Sequence, residues 1–408
     1  MERKKTMKLS HNNIRFLLVS LSVLLLFSLT GCWSSHEIEE LSLGVGVAFD
    51  IGKKSTIEKK INEQDEGYSK KDQITTTYQL ITSQLASSMS KEGGSQQQSY
   101  VNISETGDSI LQEVRELSLV TDLPFNASHM KVIVIGDKLA RSYSLDRLLD
   151  QYLRDNDFRP SCLMFISKGR ARNTLVSKKA GEVPAFRLFG MVDNAYRSTR
   201  ILPPISIIKL DGKLKSGSSF LLQNVISENG EVKFAGAAVI KGKTKKLRGF
   251  LNEEELEGIT WITGKGKGGL VKSFDKQTSG LIVYEIASMK SKITSHVKGN
   301  NISFVVNIES EGRLSENWVV SGNSFDNTFL KRAEESTEKE VKRLVDHTIK
   351  KTQKEYRVDV AGFGNRLRIE HPKVWEKVKK DWDQTFSEVP IYYNVKITIK
   401  DYGASGHK

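Results

Sequence analysis

A chain of 408 residues is longer than one ordinary core, so two or three domains are expected. Its 62 Lys and Arg against 49 Asp and Glu give a formal charge of +13, and residues 1–31 hold five of the cations and one acid, leaving +9 on the rest. The cations are scattered, which favours an anionic membrane surface or acidic partners over a dedicated nucleic-acid groove. With only Cys32 and Cys162 present, a disulfide framework and a multi-cysteine metal site are excluded.

The first 15 residues are rich in cations, and 16–29 (FLLVSLSVLLLFSL) form an apolar run. This is the pattern of a signal peptide, and the run is well short of the roughly 20 residues needed to cross a bilayer. It ends in Leu29, Thr30, Gly31 and Cys32, small residues before a cysteine as a lipoprotein signal peptidase requires. The expectation is cleavage between Gly31 and Cys32, with Cys32 carrying S-diacylglycerol and an N-acyl chain on the outer side of a membrane. At about 0.8 kcal/mol per buried methylene, two or more chains anchor stably where one is marginal.

After the anchor, residues 32–41 read as a short helix and 43–50 as a strand, with Val45, Val47 and Phe49 alternating. A solvated loop over 51–73 leads to a second strand over 74–82, then to a polar excursion over 83–99. A helix is expected over 105–118, a strand over 131–136, a helix over 137–154, a strand over 162–166 and a helix from 171. Cys162 reads as a buried thiol in that strand. The alternation gives an N-terminal α/β domain, 32–200, with a mixed sheet and helices packed on it.

Pro203 and Pro204 cannot sit inside a helix, so 201–222 is expected to be a linker. Strands over 219–226 and 232–241 and a helix over 252–258, N-capped by Asn252, suggest a middle β-rich unit spanning 223–290. Period-2 strands follow over 281–288, 292–296 and 301–309. An amphipathic helix over 327–355, a helix over 372–386 and a strand over 391–400 complete a C-terminal domain, 291–403, of antiparallel sheet covered by one long helix. The fold class is α+β, or mixed α/β.

No catalytic, cofactor or metal motif emerges. The glycine-rich 264–269 (GKGKGG) lacks a Ser or Thr after GK, and reads as a basic turn. His36, His129, His296, His347 and His371 have no metal-ligand spacing. Arg154 and Arg159, bracketing Asp155 and Asp157, form either a charged recognition site or a local salt-bridge network closing a turn, the second reading weighing more.

Several blocks in order carry a family resemblance. They are Gly31, Cys32 and Trp33 with Glu37 and Ile38; GVAFD from Gly46; HMKVIVIG from His129; and RDNDFRP from Arg154. Further on come FAGAAVI from Phe234; LNEEE from Leu251 with Gly258 and Trp261; and DVAGFG from Asp359. From Gly31 to about Gly403 the chain resembles the Ger(x)C spore germination lipoproteins. That resemblance implies a non-catalytic C subunit of a germinant receptor in the spore inner membrane, partnered by A-type and B-type membrane subunits. Whether it touches germinant is left open. The alternative is a lipid-anchored solute-binding protein with a cleft between lobes.

Overall fold

The computed structural model describes residues 15–16, 18–23, 40–52, 73–81, 98–155, 158–320 and 322–401. Gly31, Cys32, nearly all of the helix expected over 32–41, most of the loop over 51–73 and most of the excursion over 83–99 lie outside the described residues.

The first half of the chain runs β1 (Ser42–Ile51), β2 (Ile74–Ile81), β3 (Val101–Gly107), α1 (Ile110–Glu116), β4 (Phe125–Asn126), β5 (Val132–Gly136), α2 (Asp137–Ser142) and α3 (Leu145–Arg154). It continues through β6 (Leu163–Ser167), α4 (Pro184–Met191), α5 (Ile207–Ser216), β7 (Phe220–Glu228), β8 (Glu231–Lys241) and β9 (Lys246–Leu251). The strands form one sheet in the order β3-β2-β1-β5-β6-β7-β8-β9, with β4 beside the start of β1. Its central strands β1, β5, β6 and β7 are parallel and its flanks antiparallel. The apolar VIVI of β5 follows from burial on both sides: Ile133 and Ile135 face α2, α3 and α5, while Val132 and Val134 face α4 and the 3-10 turn Ala171–Leu175.

Three local expectations differ. The helix over 137–154 is two helices, because Tyr143 between them is extended. The expected linker, 201–222, keeps Pro203 and Pro204 exposed and non-helical, but then forms α5, whose Ile207, Leu210 and Leu214 are buried in the core. In the expected middle unit, β7 pairs with β6 from Phe165 opposite Gln223, so β7, β8 and β9 extend the first sheet. An exposed pair of prolines keeps its own segment non-helical without detaching the helix that follows.

The second half comprises α6 (Glu253–Thr263), β10 (Leu270–Phe274), β11 (Leu281–Lys298), β12 (Asn301–Asn317), α7 (Asn327–Lys350), α8 (Phe363–Glu370), α9 (Pro372–Val378), α10 (Trp382–Glu388) and β13 (Ile391–Asp401). Asn252 caps α6 as expected, in a reciprocal box with Glu255 (2.8 and 2.7 Å). The sheet β10-β11-β12-β13 is covered by α7, which buries Ala333, Thr337, Val341, Leu344, Val345, Thr348 and Ile349. The two strands expected over 281–296 are one bulged strand, because its polar residues face outward along the β11 and β12 hairpin. Antiparallel pairing holds up to β12, but β13 joins parallel: the helical crossover returns the chain to the end from which β12 began.

The helix expected over 327–355 ends at Lys350. Lys351–Tyr356 form a wider π turn that lets Gln353 donate to the carbonyls of Phe386 (2.7 Å) and Val389 (2.9 Å). Beyond it, buried Asp359 accepts the N–H groups of Gly362 (2.8 Å), Phe363 (3.1 Å) and Gly364 (2.7 Å) and the indole N–H of Trp382 (3.0 Å). Gly362, at φ 91°, supplies the left-handed residue that this turn needs.

The two sheets meet through α6 and α7. A Cβ on Gly258 would lie 2.1 Å from Thr348 Oγ1 and 2.5 Å from the Leu344 carbonyl, so the helices touch backbone to side chain.

Candidate interaction surfaces

Among the described residues no group of three or more His, Cys, Asp or Glu is placed to hold a metal ion. Nor, among those residues, is any helix long and apolar enough to cross a membrane. Cys162 is fully buried at the start of β6, and burial pushes its thiol well up. The GKGKGG segment forms a turn whose backbone packs closely on the chain at Tyr196 to Thr199: a Cβ on Gly268 would sit 2.0 Å from the Tyr196 carbonyl. The glycines serve that close approach.

Arg154 stands exposed at the end of α3 and pairs one turn back with Asp150 at 2.8 Å. The aspartate raises the Arg154 guanidinium further. Arg159 is also exposed; Asn156 and Asp157 between them lie outside the described residues. Arg154 and Arg159 are thus split between a helix end and a loop.

Arg154 does line an open groove of about 760 Å³. Between α1 and α3, it is bounded by Ile110, Val114, Phe125, Tyr143 and Leu148, with Arg147 and Asp155 at the rim. Beneath lies a buried polar layer, in which the hydroxyls of Tyr78 and Tyr152 bond at 2.8 Å and Thr76 donates to Glu113. Burial pushes both phenols up, and the Glu113 charge adds to it. Those hydrogen bonds fix α1 and α3 on the sheet, and so fix the walls of the groove.

The second groove lies where the two sheets meet. Leu270, Phe274 and Trp318 contribute its apolar surface, and Arg200, Glu254, Glu257, Glu340 and Arg343 its charged side. Arg200 forks to Glu253 (3.1 Å) and Glu257 (3.2 Å); Arg343 bridges Glu254 (3.2 Å) and Glu340 (2.8 Å). Burial raises the Glu257 carboxyl, and Arg200 partly offsets it.

Trp318 is 68% exposed and Val320 98%, an uncommon presentation for such residues. The loop that carries them is pinned: Val319 is buried, its N–H donates to Asn317 Oδ1 (3.0 Å), and the Asn317 amide donates to the Gly322 carbonyl (2.8 Å). With Leu270 at 49% and Phe274 at 64%, an aromatic ledge results. Sequence reasoning missed it, although the triplet Trp318, Val319, Val320 directly after a polar strand end was the available signal.

Comparison with known proteins gives a consistent outcome. Residues 34–226 match the family model described as spore germination protein N-terminal domain, and residues 235–403 match that described as spore germination B3/GerAC like, C-terminal. The chain is 48% identical to spore germination protein YndF of Bacillus subtilis (strain 168) over 93% of this chain and 95% of that one. It is 30% identical to spore germination protein B3 of the same organism, over 95% and 98%. A crystal structure of the GerBC protein superposes with a TM-score of 0.59 at 26% identity, covering 86% of this chain and all of that one.

Proposed function

This chain belongs to the GerAC-like spore germination family, and from that premise we propose that it is the lipid-anchored, non-catalytic C subunit of a spore germinant receptor, held on the outer face of the spore inner membrane through Cys32. Its role is assembly or signal coupling with the polytopic A-type and the B-type membrane subunits during nutrient-triggered germination. The observation that carries the reading is the pinned ledge of Trp318, Phe274 and Leu270 beside paired charges. A rigid aromatic anchor with a polar rim is how protein partners are held.

The test is affinity capture of the tagged chain from dormant-spore inner membranes, with mass spectrometry of what accompanies it, for the native chain and for Trp318→Ala. Recovery of polytopic partner subunits with the native chain, and at least about tenfold less with the variant at equal abundance, is the expected outcome. Recovery of the native chain alone, or with a solute transporter, refutes the receptor reading.

A further inference from the structure

We propose that the edge of the first sheet at which β1 begins lies against the lipid surface, with Leu119 and Val120 in the interfacial layer. The inference rests on the acylated Cys32 of the proposed function, but it is carried by strand direction and exposure. Strands β1, β5, β6 and β7 run parallel, so their N-terminal ends share one edge of the sheet. Ser42, the first residue of β1, lies there, ten residues after Cys32. Ten residues span at most roughly 35 Å fully extended, so an anchor at Cys32 keeps this edge within that distance of the bilayer.

The same edge carries an exposed apolar pair. The segment after α1 returns to β1, where the Ser42 N–H donates to the Pro124 carbonyl at 2.9 Å and Ser42 lies opposite Phe125. On that returning segment Leu119 is 82% exposed and Val120 54%, while Leu117 beside them is fully buried and fixes the turn. Leu119 is the most exposed leucine among the described residues. Exposed cations lie on other loops of this edge: Arg159 before β6, and Lys209 at the start of α5, where the Ile208 N–H donates to the Pro160 carbonyl. Asp122 is the exposed acid closest to the pair in sequence. Two exposed aliphatic side chains on an edge that also carries cations, on a short tether to an acyl anchor, fit an anionic bilayer surface, with the apolar groups in the interface and the cations among headgroups.

The experiment places a single environment-sensitive fluorophore on Leu119→Cys or, at the opposite edge, on Glu228→Cys beside the turn between β7 and β8. Buried Cys162 does not compete for the label. Each chain is held on phosphatidylethanolamine and phosphatidylglycerol vesicles containing spin-labelled lipid, in two arms. One arm uses the full acylated chain; the other starts at residue 33 and is tethered by an N-terminal histidine tag to nickel-chelating lipid. The expected result in both arms is quenching at 119 at least about threefold stronger than at 228. Equal quenching at the two sites, or none at 119, in the tag-tethered arm overturns the proposal. A chain that fails to float with vesicles only in the acylated arm counts against the anchor at Cys32, and leaves the edge to be decided by the other arm.

Discussion

Asp359 is the position at which one atom exchange should weaken the second domain most. Its two carboxylate oxygens accept four donors: Gly362 and Phe363 on one, Gly364 and Trp382 on the other. Asn is isosteric, but whichever way its amide turns, the NH2 group faces two N–H donors. Burial pushes the Asp359 carboxyl up and the four donors pull it down; only the ionised form can accept all four. Asp359→Asn therefore loses two charge-assisted hydrogen bonds in a site closed to water, each of order 1.5–3 kcal/mol, for a total of about 3–6 kcal/mol. Urea unfolding of the chain from residue 33, followed by tryptophan emission, reads this directly, because Trp375 and Trp382 pack edge to face at 5.4 Å beside the turn. A loss below about 1 kcal/mol would refute the cradle as the element that fixes this turn.

Cys32→Ala should leave the body folded but release it from the membrane fraction or leave it unprocessed; unchanged size and retention would sink the lipidation reading. Gly258→Ala gains about 1 kcal/mol of helix propensity, yet overpacking against Thr348 and Leu344 should cost more, so thermal unfolding shifts down by several degrees. A variant as stable as the parent would show that α6 and α7 can part. Glu253 is held below the usual carboxylate range by its hydrogen bond from Lys233, with Arg200 adding to it. A depressed folded value gives stability that is complete above the unfolded pKa and is lost as pH falls through the folded one. The advantage of the parent over Glu253→Gln should thus be present at about pH 7 and shrink as pH falls below the ordinary carboxylate range in parallel denaturation curves. An advantage that persisted in acid would place its origin in packing.

Much of the fold was legible because period and burial agree in it. The alternation of β1, the doubly apolar β5, the Asn252 cap and the α7 stripe were all visible in residue order, and each is a local pattern enforced by a core on one or both sides. What was not legible is which sheet a strand joins. The pairing of Phe165 with Gln223 is a contact across more than 50 residues that no periodicity records, so β7 to β9 read as a separate unit. The parallel pairing of β13 was hidden in the same way, since crossover geometry decides it. Among candidate site residues, Arg154 and Arg159 were found as charges, but not the partner of Arg154, because Asp150 lies one helical turn upstream. The exposed ledge at Trp318 went unread since exposure belongs to the folded surface.

The β7 and β8 hairpin has a consequence for anyone exchanging parts between relatives. The two family models stop at residue 226 and resume at 235, which invites a junction there. That cut falls within the hairpin: it would part Phe220–Glu228 from Glu231–Lys241 and bare Leu222 and Val225 on one side, Ala237 to Ile240 on the other. Sequence modules and mechanical modules are out of step by two strands. A chimaera spliced after Leu251 keeps the sheet whole and transplants one complete body, whereas one spliced at the sequence seam must reconcile two foreign edges.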